Sequence, residues 1–303
     1  MQIVKSRTVT WLDLESPSWR DIHRLVKDFN IPSHAANHLK EPVLRPTVET
    51  LGKALYVVLH FPIFNPIKQT SEAAEVDFIV TPSMLLTARY RAIEPFDTVL
   101  KRCSSLPLKN AEYCLAKGPI FLFYHIVKEL FSFSLREIDH IQEKISDIEE
   151  GIFDGREKEM VSRISLVTRD VINFSSTLMP QRNVLENLLE RTDAVDSFTR
   201  PYIADLVHEY RKIFDLIKSK QETIQALHAT NESLLNAKTN EVMKVLTIMA
   251  FVTFPLMLFS SLFGMNTKVL PIVGAPNDFW IIIGIMTTAT IGFFLFFKRK
   301  NWL

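Results

Sequence analysis

The chain has 303 residues and a formal net charge of +1, from 35 Lys and Arg against 34 Asp and Glu, which argues against a protein that wraps nucleic acid. With 47% hydrophobic and 23% charged residues, general intrinsic disorder is excluded. Cys103 and Cys114 form no CxxC motif and have no histidine cluster nearby, so neither a disulfide scaffold nor a structural zinc site is expected.

The first 118 residues alternate strand-like runs with helical stretches. The runs are residues 3–4, 8–12, 54–61, 76–80 and 85–88, and Asn-Pro and Pro-Ser pairs between them are typical of turns. Helical patterns fall at residues 18–30 and 94–106. We predict a mixed α/β domain over residues 1–118, and because no signal-peptide run precedes it, we expect it in the cytosol.

Residues 119–200 have the pattern of long antiparallel helices, with a turn between Gly151 and Gly155 and a second helix over about 157–190. One face of the first helix is acidic. Its members recur every three or four residues: Asp139, Glu143, Asp147, Glu150 and Asp154. Such a run is usually a solvated face, and the alternative is a surface that attracts cations toward a permeation path.

A third helical segment, residues 201–263, starts at Pro201 and has no further glycine or proline before Pro255. Its apolar positions are separated mainly by three, four or seven residues, as in a coiled-coil stripe. They are Ile203, Leu206, Tyr210, Ile213, Ile217, Ile224, Leu227, Leu234 and Val242. We predict one stalk helix on the order of 95 Å long that continues into the membrane at residue 245.

Two uncharged runs of nineteen residues, 245–263 and 279–297, are each long enough to cross a hydrocarbon core of roughly 30 Å. Buried core helices are the alternative, but these usually carry a polar stripe, which neither run has. The connecting segment 264–278 holds one Lys and one Asp, whereas residues 298–300 are all basic. Both termini are therefore predicted to be cytoplasmic, with 264–278 as an extracytoplasmic loop and 298–303 as a basic cytosolic tail.

Gly264-Met265-Asn266 closes the first span and precedes a short loop, a second span and the basic end at 298–303. This arrangement resembles the CorA family of magnesium transporters, whose signature is GMN between two C-terminal helices. Residues 239–247 look like the stalk-to-membrane segment of that family, and 45–49 and 180–182 resemble two further motifs. The resemblance covers essentially the whole chain.

The resemblance implies an α+β membrane protein that assembles into a funnel-shaped homopentamer, with an N-terminal α/β cytosolic domain, a helical stalk and a pore lined by the first span. It would mediate uptake of Mg²⁺, with Co²⁺ and Ni²⁺ as further candidates, in the inner membrane and in contact with lipid. A ring of chains is also required physically, because two helices cannot enclose an aqueous path.

The resemblance places the pore mouth at Gly264, Met265 and Asn266. Counting back along the first span from Ser261 in steps of three or four residues gives Met257, Phe254, Ala250, Leu246 and Met243. By the resemblance, the pore face of the family falls on about the same positions. This face has no carboxylate, so it suits a hydrated Mg²⁺ ion better than a dehydrated one. Helix packing is the alternative role, above all for Phe254 and Met257.

The family also closes its pore when Mg²⁺ binds between cytosolic domains, and Pro201-Tyr202-Ile203-Ala204-Asp205 matches the setting of one sensor carboxylate. We therefore expect Asp205, with Glu209 one turn away, as regulatory metal ligands. The family has an acidic partner for this carboxylate in a hairpin turn. The corresponding residues 64–68 of this chain contain no carboxylate, and the first one after them is Glu72. The resemblance therefore supplies Asp205 but not its acidic partner in the hairpin turn.

Three other functions compete with magnesium uptake. A zinc transporter of the related ZntB group is disfavoured by Met265, since that group typically differs at the middle of the tripeptide. A membrane-anchored coiled-coil sensor without permeation needs the same helices but no flux. An enzyme is least expected, because we find no nucleophile–base constellation, no HExxH and no P-loop, and no organic cofactor is implied.

Overall fold

The computed structural model of the chain describes residues 1–6, 8–29, 31–104, 117–192, 199–266, 272–274, 276–300 and 302. Cys114 and residues 267–271 and 275 of the connecting loop lie outside the described residues. Residues 1–229 form one compact unit, and residues 230–303 form a second.

The first unit is built on a six-stranded sheet. Its strands are β1 (Gln2–Lys5), β2 (Thr10–Glu15), β3 (Thr47–Leu51), β4 (Ala54–Asn65), β5 (Thr70–Val80) and β6 (Met84–Arg89). The order across the sheet is β1-β2-β6-β5-β4-β3, and only the β2–β6 pair is parallel. The longest pairing joins β4 to β5, from Leu55 opposite Val80 to Asn65 opposite Thr70.

Two short helices, α1 (Trp19–Phe29) and α2 (Ser33–His38), cover one face of this sheet. Ile22 and Leu25 of α1 and Ala35 of α2 pack in one core with Tyr56 and Ile79 of the sheet. The pattern of α1 is amphipathic, so its apolar side is buried against the strands while its charged side faces water.

Aromatic residues fill the other face, against α3 (Glu94–Ser104) and α4 (Pro119–Phe153). The ring pairs across this layer are Trp11 with Phe96, Phe61 with Phe131 and Phe78 with Phe123, with centroids 4.9–5.9 Å apart. Since helices cover both faces, most residues on the central strands are buried whichever face they point to, and the predicted α/β architecture is observed.

The helical segment after α4 differs from the sequence prediction at one point. A single helix is expected over 157–190, whereas the structure has α5 (Glu157–Leu178) and α6 (Gln181–Thr192). Pro180 lies at the break, because its ring removes a backbone N–H and clashes with the preceding turn. The predicted turn after α4 is present, with Gly155 at a φ of 82°.

One helix, α7 (Arg200–Phe263), runs through the predicted stalk and the first span without interruption. Most positions of its predicted stripe are buried. They are Ile203, Leu206, Tyr210, Ile213, Ile217, Ile224 and Leu227. Leu234 is half-buried and Val242 is exposed, so the internal packing of the stripe ends where the second unit begins.

The second unit consists of the C-terminal part of α7 and of α8 (Asp278–Arg299). Asp278 is the first residue of α8, where an acidic side chain interacts favourably with the helix dipole, and its carboxylate accepts hydrogen bonds from the backbone N–H of Phe279 at 2.7 Å and of Gly274 at 3.2 Å. Lys298 and Arg299 stand in the last turn, where basic residues interact favourably with the helix dipole.

Candidate ion pathway and the carboxylates of the N-terminal unit

Two described helices, α7 and α8, are long and apolar enough to cross a membrane, and the best 18-residue window of each has a mean hydropathy of 2.1. Only 6% of the α7 window and none of the α8 window is buried within the chain. The apolar side chains of both windows are thus left for lipid or for other copies of the protein.

One side of α7 packs within the second unit. Ile248 is 8% exposed, and the ring of Phe251 contacts the ring of Phe297 on α8 at 6.4 Å between centroids. Val252 and Pro255, which share this side of the helix, are half-buried. This side therefore marks the direction in which α7 meets its own chain.

The six predicted pore positions lie on the opposite side of α7. At about 100° per residue, all six fall between roughly 160° and 240° around the helix from Ile248. Ala250 is half-buried and the other five are exposed: Met243, Leu246, Phe254, Met257 and Ser261. Within the described part of the chain, this largely apolar face is therefore mostly exposed.

Gly264 follows the last residue of α7 directly. Its N–H donates to the carbonyl of Ser260 at 3.0 Å, and the N–H of Met265 donates to the carbonyl of Leu262 at 3.4 Å. The φ of Gly264 is not left-handed, but a Cβ here would lie 3.1 Å from the Ser260 oxygen. Glycine is favoured here by this close approach, and Asn266, three residues after the end of the helix, is exposed.

Pro255 is accommodated inside α7, where it removes the N–H that would bond to the carbonyl of Phe251. The hydroxyl of Thr247 donates to the carbonyl of Met243 at 2.8 Å. Thr247 therefore satisfies a backbone group locally, as threonines in apolar helices commonly do.

Asp205 lies in a compact polar cluster with two residues of α4. Its Oδ2 accepts hydrogen bonds of 2.7 Å from the Tyr124 hydroxyl and 2.7 Å from the Lys128 ammonium, which itself lies 2.8 Å from the Tyr124 oxygen. The bond from Lys128 lowers the pKa of Asp205, and the same bond raises the pKa of Lys128. The proposed sensor carboxylate thus already has a cation beside it within its own chain.

The β4–β5 hairpin carries a second charge cluster. Glu72 receives bonds from Lys68 at 2.5 Å, from Asn65 at 3.1 Å and from Arg91 at 3.2 Å. The hydrogen bonds from Lys68 and Asn65 lower the pKa of Glu72. Glu209 is half-buried on α7. Among the described residues, no three His, Cys, Asp or Glu side chains converge as a metal site would require.

Part of the predicted acidic face borders a cavity. Glu143 and Asp147 of α4 line a space of about 860 Å³ that also contains Glu137, Lys144 and Asp170. Asp170 is not a free charge, because it accepts from Ser71 at 2.7 Å and lies 3.2 Å from Lys144. The acidic face of α4 is therefore not only a solvated surface, because two of its residues, Glu143 and Asp147, border this cavity.

One buried carboxyl group has no counterpart in the sequence analysis. Asp77 on β5 is 0% exposed and accepts a hydrogen bond from the Tyr90 hydroxyl at 3.0 Å. Burial, and then the negative charge of Glu75, raise the pKa of Asp77 to about 9. Burial and the neighbouring carboxylate thus favour the neutral form of Asp77, which belongs to the core.

The amino-acid sequence is similar to that of known transport proteins. The chain matches the family of CorA-like Mg²⁺ transporter proteins over residues 6–299. A cobalt/magnesium transport protein CorA from Thermotoga maritima is 25% identical over 300 residues, which cover 98% of this chain and 84% of the relative. Another from Methanocaldococcus jannaschii is 23% identical over 295 residues, covering 97% and 91%.

Solved structures give the same result for the fold. The complete structure of the CorA magnesium transporter from Methanocaldococcus jannaschii superposes with a TM-score of 0.84 at 21% identity, covering 98% of this chain and 92% of that one. The full-length CmaX protein gives a TM-score of 0.67 at 20% identity over 97% and 89%. The predicted α+β fold of the single chain, with its N-terminal α/β domain, long helix and C-terminal apolar helix, and the predicted resemblance are thereby confirmed, and the chain belongs to the membrane-embedded CorA-like Mg²⁺ transporter family.

Proposed function

We propose that this protein is a divalent-cation transporter of the inner membrane that carries Mg²⁺ into the cell through a pore shared by several copies, five in the ring implied by the family resemblance. Co²⁺ and Ni²⁺ are further candidate ions. The observation that carries the proposal is the apolar face of α7, which points away from its own chain and ends at Gly264-Met265-Asn266. In a symmetric ring, these faces would surround the axis.

The chemistry of this face favours a hydrated ion. Five of its six positions are apolar, and the hydroxyl of Ser261 is its one polar group, so the face offers no carboxylate to replace the water shell of Mg²⁺. At the mouth, a ring of Asn266 carboxamides would accept hydrogen bonds from the ion's water. Rings of Met243, Leu246 and Phe254 would act as constrictions that close by dewetting.

Orientation follows from charge. Residues 298–300 are basic and lie at the same membrane side as Lys238 and Lys244, so we place both termini in the cytoplasm. The membrane potential then drives entry, at about 2.3 kcal/mol per elementary charge per 100 mV and about twice that for Mg²⁺.

We expect purified protein in liposomes to admit Mg²⁺ when an inside-negative potential is imposed, with uptake that increases with the potential. An internal Mg²⁺ dye measures the flux, and protein-free liposomes at the same potential are the control. Absence of Mg²⁺, Co²⁺ and Ni²⁺ entry at low internal Mg²⁺ would instead support a membrane-anchored sensor. Entry of Zn²⁺ alone would support the ZntB-like alternative, which Met265 and the family match disfavour.

We further propose that cytosolic Mg²⁺ closes the pore through Asp205, assisted by Glu209. The Lys128 ammonium lies 2.7 Å from the Oδ2 atom of Asp205. A metal ion that binds Asp205 must therefore displace this ammonium or share the carboxylate with it. Lys128 is 40% exposed and Asp205 37%, so their attraction is screened by water and weak enough for an ion to compete with it.

Two substitutions should therefore shift inhibition in opposite directions. Asp205→Ala is expected to raise the internal Mg²⁺ concentration needed for half-inhibition, because a ligand is lost. Lys128→Gln should lower it by about two- to fivefold, because exposed ion pairs contribute at most about 1 kcal/mol. The measurement is liposome uptake at several internal Mg²⁺ concentrations. Unchanged inhibition in both variants would place the regulatory site elsewhere.

A further inference from the structure

The second unit contains an apolar groove between α7 and α8, with a volume of about 780 Å³. Phe251 of α7 and Gly292, Phe296 and Phe297 of α8 line its length. Lys300 and Trp302 lie at one end. All of these residues belong to the membrane-embedded part of the protein or to its cytosolic boundary, so the groove lies at the depth of lipid.

Small residues keep the groove open. A Cβ added at Gly292 would meet no heavy atom within 4 Å, so this glycine is not required for a close approach of α7. In membrane helices, glycine usually permits tight packing against a neighbouring helix, and here it leaves space instead. The space is bordered by aromatic rings, and Phe297 is itself only 5% exposed.

The open end of the groove is cationic and amphipathic. Lys300 follows Lys298 and Arg299, and the backbone N–H of Lys300 donates to the carbonyl of Phe296 at 3.2 Å, which places it just past the helix end. The indole of Trp302 stacks on Phe297 with centroids 5.9 Å apart. Tryptophan and lysine at this depth typically sit at the boundary between hydrocarbon and headgroups.

These features complement one kind of molecule, which has an apolar chain and a negative charge at its end. We propose that the groove binds an acyl chain of an anionic glycerophospholipid of the cytoplasmic leaflet, whose phosphate contacts Lys300. On the α7 side of this boundary, Glu241 is outweighed by Lys238 and Lys244, so the local charge stays positive. The proposal does not depend on ion transport, because it requires only that the two helices lie in a membrane.

Quenching of Trp302 fluorescence by brominated lipids tests this site in the full-length protein. The chain has four tryptophans, so the Trp302 signal is the difference between the wild type and Trp302→Phe. The measurement is the mole fraction of brominated lipid, in phosphatidylcholine vesicles, at which quenching of Trp302 is half complete. This fraction should be at least about threefold lower for brominated phosphatidylglycerol than for brominated phosphatidylcholine, because the cationic end of the groove favours an anionic headgroup. Lys300→Gln should reduce this preference.

Filling the groove supplies the matched control. Gly292→Leu should abolish the preference for phosphatidylglycerol, whereas Gly284→Leu on the same helix, where an added Cβ also meets nothing within 4 Å, should leave it intact. Equal quenching by both lipids would overturn the proposal in favour of nonspecific lipid contact. Protection of Trp302 from both lipids would overturn it in favour of a second copy of the chain covering the groove.

Discussion

Asn266→Ala is expected to lower potential-driven Mg²⁺ uptake by at least about tenfold while leaving the assembly intact. At the proposed mouth, each copy contributes one carboxamide, and its carbonyl oxygen is the only side-chain acceptor that the tripeptide offers to a hydrated ion. Alanine removes that acceptor from every copy at once. A tenfold change corresponds to about 1.4 kcal/mol, a modest loss for several hydrogen bonds.

Flux into liposomes and the mass of the purified assembly together measure this outcome. Asn236→Ala makes the same chemical change at an exposed position of α7 outside the proposed pathway, and it should retain uptake. If Asn266→Ala passes Mg²⁺ as well as Asn236→Ala does, the tripeptide is not the point at which the ion is recognised.

Asp77→Asn should make the N-terminal unit less sensitive to alkaline pH. Burial and the nearby Glu75 raise the pKa of Asp77 in the folded protein to about 9, from an ordinary value of 3.8. Between these values the unfolded chain releases the proton and the folded chain retains it. The contribution of Asp77 to stability is therefore complete below about pH 4 and declines as the pH rises toward 9, by up to about 1.4 kcal/mol per pH unit.

Asparagine remains neutral in both states, and it can still accept the hydrogen bond from Tyr90. The variant should unfold at nearly the wild-type temperature at pH 5 and at a clearly higher temperature than the wild type at pH 8. Heating in detergent, followed by tryptophan fluorescence, to which the buried Trp11 contributes, measures this difference. Asp139→Asn changes an exposed carboxylate and serves as the control. Parallel pH profiles for the wild type and Asp77→Asn would show that Asp77 is ionised in the core.

The elements that the sequence predicts well are those with a strong local signal. The uninterrupted α7, both apolar spans and most strands follow from periodicity and from turn residues. The sequence pattern does not predict β3, because Thr47–Leu51 is short, follows a proline and contains Glu49, so its strand character depends on pairing with β4. Pro180 indicates a break before α6, but the helical periodicity on both sides of it favours one continuous helix, which is why the sequence predicts a single helix there.

Contacts distant in sequence account for what could not be predicted. Lys128 precedes Asp205 by 77 residues, and only the packing of α4 on α7 brings them together. Asp77 stands in an alternating run whose polar position suggests a solvated face. It is buried because helices cover both sides of the sheet, a tertiary fact that strand periodicity does not contain.

The apolar face of α7 also has an evolutionary consequence. A pathway with no oxygen ligand along most of its length treats hydrated dications of similar size alike, so on this proposal chemical discrimination is confined to the few residues after Phe263. Ion preference could then change by substitutions in one turn of chain, with the stalk, the sheet and the spans unchanged. Proteins that share this architecture would therefore change the ion that they transport more readily than they change their fold.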